Sequence, residues 1–319
     1  MSVSVVITCH NEERFIGEAI QSVINQTSYN DILEIIVIND GSTDDSQLQI
    51  ERKAKNIDKL KTYVTSGIGV SAARNLGVSK SQGEFIAFLD GDDIWKTNKI
   101  EVQLKAISAD RANQIGFVYC NYYDFTGAII SKAVAVRVNV YKPETPDFLE
   151  KYFVNDGPIV PSMMLIRRAV YESVGGFDES LVMSEDTDLC FRIGMTHKFM
   201  HINQELVYKR RHDNNVTKSL LVFADVYEEI TRKFIRMCPG MARLEKKRNS
   251  RNYVKIGTDC IESGEYFIGL RYLYKAIIFN PFALSGYLRL VTSFLPDFLR
   301  VKIVGFAKYV HHRRWSNSA

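Results

Sequence analysis

The chain has 319 residues, of which 46% are hydrophobic, 24% charged and 11% aromatic, enough for a sizeable core in one large domain or two. Its net charge of +4 is unevenly placed, because residues 221–319 hold 17 Lys/Arg against 8 Asp/Glu while the remainder holds 24 against 29. This excludes a nucleic-acid footprint spread over the whole molecule and points to an acidic catalytic body with a basic tail that meets an anionic surface.

The start, MSVSVVITCHNEE, lacks the basic and long apolar regions of a signal peptide. SVSVVIT reads as a first strand, followed by a helix from about Glu12 to Asn25 with Phe15, Ile16, Ala19, Ile20 and Val23 on one face. LEIIVIN is a second strand, and DGSTDDS after it supplies Ser and Asp to cap the next helix. KTYVTS is a shorter third strand, GVSAARNLGVSK a glycine-bounded helix, and EFIAFLD a fourth strand. Near-continuous Val, Ile and Phe runs fit strands covered on both faces, as in a parallel sheet, so the fold class is α/β.

From about residue 116, GFVYCNYYDF and AIISKAVAVRVNVY predict further strands, partly antiparallel, and Pro143, Pro146, Pro158 and Pro161 punctuate a loop-rich stretch. SMMLIRRAV predicts a strand running into a helix, GGFDESLVMSEDTDLCFRIG a turn leading into a helix, and KFMHINQELVYKRRH a returning strand. After about Lys218 the helical period takes over, which divides the chain into residues 1–218 and 219–319. Gly257, Gly264, Tyr266, Gly269, Leu273, Ala276 and Pro281 fall at spacings like those of one tetratricopeptide unit. One unit is too little for a solenoid, so a helical hairpin is expected. FLPDFLRVKIVGFAKYVHHRRW carries Leu299, Ile303, Phe306, Ala307 and Val310 on one side among basic residues. It reads equally as an interfacial membrane helix or as a core-facing terminal helix. No apolar run reaches the roughly 18 residues of a membrane span. Five scattered cysteines without a CxxC pair fit a reducing, cytoplasmic compartment and no structural zinc.

The polar motifs fall where the strands end: ITCHNEE after the first, INDGSTDD after the second, LDGDD after the fourth, and Arg74 on the helix after the third. In open α/β sheets ligands bind outside the carboxyl ends of the strands. FIAFLDGDDIW alone fits a solvated turn, since Asp and Gly favour turns. The alternative is a divalent cation and the phosphates it carries, because hard cations want clustered oxygen ligands, and the stretch by itself favours the turn.

Taken together, Thr8 with Asn11 and Glu12, VINDGSTDDS around Asp40, GVSAARNLGVSKSQGEFIAFLDGDD, GGFDESLVMSEDTDLCFRI and YKRRH resemble the inverting GT-A glycosyltransferases of family 2. The resemblance covers roughly residues 3–215, with 95 residues between Asp90 and Glu185. It implies a GT-A mixed sheet with a C-terminal helical extension. It also implies a nucleotide-diphospho-sugar donor (uridine favoured, thymidine possible), a hydroxyl of a glycan or lipid-linked acceptor, and Mn²⁺ or Mg²⁺.

Residue by residue, the resemblance places Asp40 on the base ring, although a helix cap is its ordinary role. Thr8 and Glu12 would line the nucleoside pocket, although Glu12 could merely cap the first helix. Arg74 would contact the diphosphate, for which a planar guanidinium suits. Asp90 would face the ribose or the metal, Asp92 would ligate the metal, and Asp93 would assist or accept hydrogen bonds behind it. His212 would help to hold the metal or the phosphates. The general base is expected in SEDTD, at Asp186 with Glu185 as rival and Asp188 behind both.

The chain departs from the processive synthases of that family. Their QxxRW motif has only a late counterpart, HHRRW, with His311 where Gln should be. A non-processive, hexosyltransferase-type enzyme is therefore expected, cytoplasmic or peripheral at the inner face of the membrane, with no nucleic-acid partner. The alternatives are a catalytically inactive GT-A scaffold that binds nucleotide-sugar or partners through its helical tail, and a nucleotidyltransferase. The second would more often carry a glycine-rich phosphate loop near the N-terminus, which ITCHNEER is not.

Overall fold

The computed structural model describes residues 1–127, 130–138, 141, 145–156, 159–212 and 220–293. The chain forms two compact units, Met1–Tyr152 with Asp156–Asn215, and Phe153–Asn155 with Val216–Ala319.

The first unit begins with β1 (Val3–Cys9), α1 (Ile16–Ile24), β2 (Ile32–Asp40), α2 (Ser46–Ala54), β3 (Leu60–Thr65), α3 (Val70–Ser79) and β4 (Phe85–Asp90). It continues through β5 (Ile94–Trp95), α4 (Lys99–Ser108), β6 (Ile115–Thr126), β7 (Val134–Val136), α5 (Phe148–Asn155), β8 (Leu165–Arg167), α6 (Arg168–Ser173), α7 (Glu185–Gly194) and β9 (Lys198–Arg211). The strands make one nine-stranded sheet in the order β3-β2-β1-β4-β8-β6-β9-β5, with β7 added on β6. β1 to β4 run parallel, β8 is antiparallel to both β4 and β6, β9 is parallel to β6, and β5 is antiparallel to β9.

The parallel half behaves as its composition predicts. Every residue of β1 is buried, as is all of β2 except Leu33. Apolar runs of this kind are stable as strands only when helices cover both faces. The register aligns Thr8 with Ile38 and Asp90, Cys9 with Asn39, and Asp40 with Thr65. Thr8, Asp40 and Asp90 thus arrive together at the carboxyl edge, where a ligand site in this architecture belongs.

Two expectations change. The first helix begins at Ile16 rather than near Glu12, because the intervening residues are tied to the loop after β2, as described below. Of the long strand expected over residues 128–141, the described residues form a 3₁₀ turn at Ile130–Lys132 and the three residues of β7. Val134 and Ala135 of β7 are exposed, so the alternating residues have no second face to cover.

The second unit contains α8 (Leu220–Met237), α9 (Glu245–Glu262), α10 (Tyr266–Phe279) and α11 (Leu284–Ser293). α9 and α10 form the expected hairpin. A Cβ on Gly257 would stand 2.8 Å from the Gly269 carbonyl oxygen, and one on Gly269 would stand 2.7 Å from that of Gly257, so two glycines face each other where the helices touch. Tyr253, Ile256, Cys260 and Ala276 pack with Ala224 of α8 into a small core. Among the described residues no helix is long and apolar enough to cross a membrane. The terminal segment FLPDFLRVKIVGFAKYVHHRRW lies outside the described residues, as do Pro143 and Pro158.

Candidate active site

Two loops at the carboxyl edge are built as one. The amides of Asn11, Glu12 and Glu13 donate to Ser42 Oγ (2.9 Å), Ser46 Oγ (2.8 Å) and Asp44 Oδ2 (3.0 Å). In return Asn11 Oδ1 accepts from the amide of Thr43 (2.8 Å) and Glu13 Oε2 from that of Asp45 (3.0 Å). Asn11 adopts φ +57°, a left-handed conformation that Asn tolerates better than most residues. The sequence motifs NEE and DGSTDDS are therefore largely each other's hydrogen-bond partners.

Asp40 is buried at the end of β2. Its Oδ1 accepts from Thr65 Oγ1 (2.5 Å) and the Ile68 amide (2.7 Å), and its Oδ2 from the Gly69 amide (2.8 Å). It shapes the loop between β3 and α3 as well as standing at the expected nucleoside position. Gly41 beside it has φ +68°, and a Cβ there would lie 2.6 Å from the Gly67 nitrogen. Only glycine fits that approach.

The DGDD turn is held from three sides. Gly91 N donates to the Thr8 carbonyl (2.9 Å), Asp93 N to the Asp90 carbonyl (3.0 Å) and Asp90 N to Ser162 Oγ (3.1 Å). Trp95 Nε1 donates to the Ser162 carbonyl (2.9 Å), which fixes the 161–163 turn beneath it. Arg210, on β9, is 1% exposed; its amide donates to Asp93 Oδ1 (3.1 Å), its Nε to the Asp92 carbonyl (2.9 Å) and its Nη2 to Glu18 Oε2 (2.5 Å). The guanidinium also donates to the Gly127 carbonyl and lies 4.4 Å and 4.6 Å from the ring centres of Phe15 and Phe125.

Two residues beyond Arg210, His212 Nε2 lies 3.0 Å from Asp92 Oδ2. Glu12 joins them, and one ligand atom from each of the three lies within 4.8 Å of the others. Glu12 Oε2 and Asp93 Oδ2 are buried with no hydrogen-bond partner among the described residues. Burial first, then the charges of Asp92 and Asp90, raise the Glu12 carboxyl to about 8. Burial and then Asp90 raise Asp92 to about 6, and burial and then Asp92 hold Asp93 well above the carboxylate range. Crowded acids with raised pKa values and an unpartnered oxygen lack a positive charge, and oxygen ligands with one imidazole suit a hard divalent cation. Glu12, Asp92 and His212 therefore fit a metal. Asp90 stands outside this trio, and Glu12 stands inside it as well as beside the nucleoside edge.

Asp90 turns instead to Arg74. That guanidinium is 4% exposed; its Nη2 donates to Asp90 Oδ1 (2.7 Å), its Nη1 to Glu185 Oε1 (2.8 Å), and it lies 5.1 Å from the Phe177 ring centre. Arg74 thus joins LDGDD to SEDTD. Ser184, which leads into α7, has φ +62°, a strained value for a serine. Asp186 Oδ1 accepts from the Thr187 amide (2.6 Å), and burial followed by the Glu185 charge raises its carboxyl to about 7. Asp188 is buried and paired with Arg192 at 2.7 Å, a structural role. Raised in this way, Asp186 has a proton affinity that suits general-base work near neutral pH.

Ser162 and Arg210 escape sequence reasoning. Their partners lie 72 and up to 192 residues away, and nothing local marks them. The one usable signal is Arg210 itself, a charge at an inward position of β9.

Residues 4–175 match the family model described as glycosyl transferase family 2. An uncharacterised glycosyltransferase of Rickettsia typhi is 29% identical over 239 residues, covering 73% of this chain and 71% of its own. Escherichia coli WfgD, described as a UDP-Glc:α-D-GlcNAc-diphosphoundecaprenol β-1,3-glucosyltransferase, is 36% identical over 140 residues, covering 44% of this chain and 53% of its own. Among solved structures, residues 1–349 of Staphylococcus aureus TarS align with TM-score 0.59 at 17% identity over 92% of this chain and 90% of that one. The same fragment in complex with UDP-GlcNAc aligns with TM-score 0.57. The sheet is that of the GT-A fold, and with more than half of its length inside the family model the chain belongs to glycosyl transferase family 2.

Proposed function

We propose that this glycosyltransferase is metal-dependent and inverting, and moves a sugar from a nucleotide diphosphate, UDP favoured and dTDP second, to a hydroxyl of a glycan or lipid-linked acceptor. The observation that carries the reading is the Arg74 bridge, because it makes the acids of the DGDD turn and those of SEDTD parts of one site. The UDP-sugar named for WfgD and the UDP-GlcNAc complex of TarS support the donor. The diphosphoundecaprenol in the WfgD name supports a lipid-linked acceptor and, with it, work at a membrane surface.

Asp92, His212 and Glu12 would hold the cation, Mn²⁺ or Mg²⁺. Once bound, it would offset the negative charge of the departing nucleoside diphosphate. Asp186 takes the proton from the acceptor hydroxyl. The oxygen then attacks the anomeric carbon from the face opposite the diphosphate, which inverts its configuration. Glu185 is held by Arg74 and orients that guanidinium rather than acting as the base. Thr8 and Asp40 line the nucleoside side. Asp40 Oδ2 accepts one hydrogen bond from Gly69 and keeps a lone pair for the imide N–H of a uracil or thymine ring. Transfer is non-processive.

The test is the melting temperature of the purified protein with UDP, dTDP, GDP or CMP, each with and without Mn²⁺. A ligand that binds only the folded state raises it by mass action. Stabilisation by UDP that requires Mn²⁺ supports the reading and identifies the donor class. No response to any nucleotide with metal present would turn the assignment toward a scaffold without catalysis.

A further inference from the structure

The second unit exposes apolar side chains that its described helices leave uncovered. On α10, Phe267, Arg271, Tyr274 and Ile278 are spaced by four, three and four residues, which places them on one face. The opposite positions Gly269, Leu273 and Ala276 are buried. Phe267 is 91% exposed, and the turn that follows α10 presents Phe282 at 92%. α11 then adds Leu284 at 81%, with Tyr287, Leu288 and Val291 on the same side of that helix. Single exposed apolar residues are ordinary, but eight large ones with an arginine among them over two successive helices and the turn between them form a patch that calls for a partner.

The charge around this face selects the partner. From Ser263 to Ser293, the stretch that holds both helices, the chain carries Arg271, Lys275 and Arg289 against the one acid Glu265. Aromatic and aliphatic side chains beside an excess of cations match the boundary of an anionic bilayer, where rings sit at headgroup depth and Lys/Arg meet phosphates. A neutral lipid surface would leave the cations without a function.

We infer that the Phe267–Val291 face of α10 and α11 is a docking surface for an anionic lipid bilayer, with the apolar side chains entering the headgroup boundary. It goes beyond a general association with membranes by naming the face, and it stands independently of donor binding.

The experiment is flotation of the full chain with phosphatidylcholine vesicles prepared with and without phosphatidylglycerol. The expected result is binding to the anionic vesicles that weakens with added salt. Phe267→Ser combined with Phe282→Ser should weaken it by about tenfold or more. Both side chains are more than nine-tenths exposed, so the melting temperature and the UDP response should be unchanged. Equal flotation of the double variant would overturn the proposal. So would a doubled mass in light scattering without flotation, which would assign the face to a second copy. A lowered melting temperature in the variant without flotation of the parent would assign it to residues 294–319.

Discussion

His212 Nε2 stands 3.0 Å from Asp92 Oδ2 although 120 residues separate them in the chain. The pair exists because Arg210, two residues earlier on β9, ties its own strand to the Asp92 carbonyl and the Asp93 carboxylate. Under the proposed metal binding, replacing either side chain should weaken the site while leaving the fold in place. Asp92→Asn and His212→Ala are each expected to weaken Mn²⁺-dependent UDP binding by about tenfold or more, in the range seen when metal-site groups are lost. Titration calorimetry with UDP at fixed Mn²⁺ checks this, and an unchanged affinity in both variants would remove the metal from the site.

The proposed base is separable from the acid beside it. Asp186→Asn should lower kcat by about 10²–10⁴-fold with little change in donor KM. In the parent enzyme the rate should fall as pH drops through about 7, because the Asp186 carboxyl is raised to that value and only its ionised form accepts a proton. The pH profile of the variant's residual activity should lack this limb. A profile that keeps the limb would move the role to Glu185.

Arg74 supports the site by charge as well as by geometry. Arg74→Met leaves Asp90 and Glu185 facing each other without the cation between them, and loss of one partner from a buried ion network costs about 3–5 kcal/mol. Arg74→Lys should recover only part of this, since one ammonium lacks the planar fork that spans both carboxylates. Urea unfolding of the three proteins measures the order. Equal stability of the Lys and Arg forms would show that the bridge contributes only charge.

Lys99 is fully buried, with Nζ 2.7 Å from Gln103 Oε1 and 3.9 Å from the Trp95 ring centre, and burial lowers it to about 7. The unfolded chain holds that proton up to about pH 10, so between about 7 and 10 it binds more protons than the folded state, and folding stability contributed by this group rises with pH. Lys99→Met removes the effect. Its stabilisation over the parent should be larger at pH 6 than at pH 9, by on the order of 2 kcal/mol. Thermal unfolding at the two pH values tests the difference, and a gap of the opposite sign would contradict a buried neutral amine.

The parallel half of the sheet was legible because each strand is a continuous apolar run and each motif follows its strand directly. Thr8, Asp40 and Asp90 could be placed on one edge from that pattern, and the register places them there. The glycines of the α9–α10 hairpin were legible for a similar reason, since backbone contact at Gly257 and Gly269 leaves a periodic mark. What stayed hidden are pairings between distant segments. Nothing near Glu12 says that it meets Asp92 and His212, and nothing near Arg74 says that its second partner is 111 residues away. β7 was overextended because alternation of apolar and polar residues predicts a strand whether or not a covering layer exists.

The reciprocal hydrogen bonds between Asn11–Glu13 and Ser42–Ser46 have a consequence for how this protein can change. Neither loop can gain or lose a residue without breaking the partner's register, so the two must vary together or keep their lengths. A donor-specificity swap that transplants only one of them would leave unpaired amides at the edge proposed to read the nucleotide. The transferable cassette is the pair, carried with the ends of the two strands from which it grows.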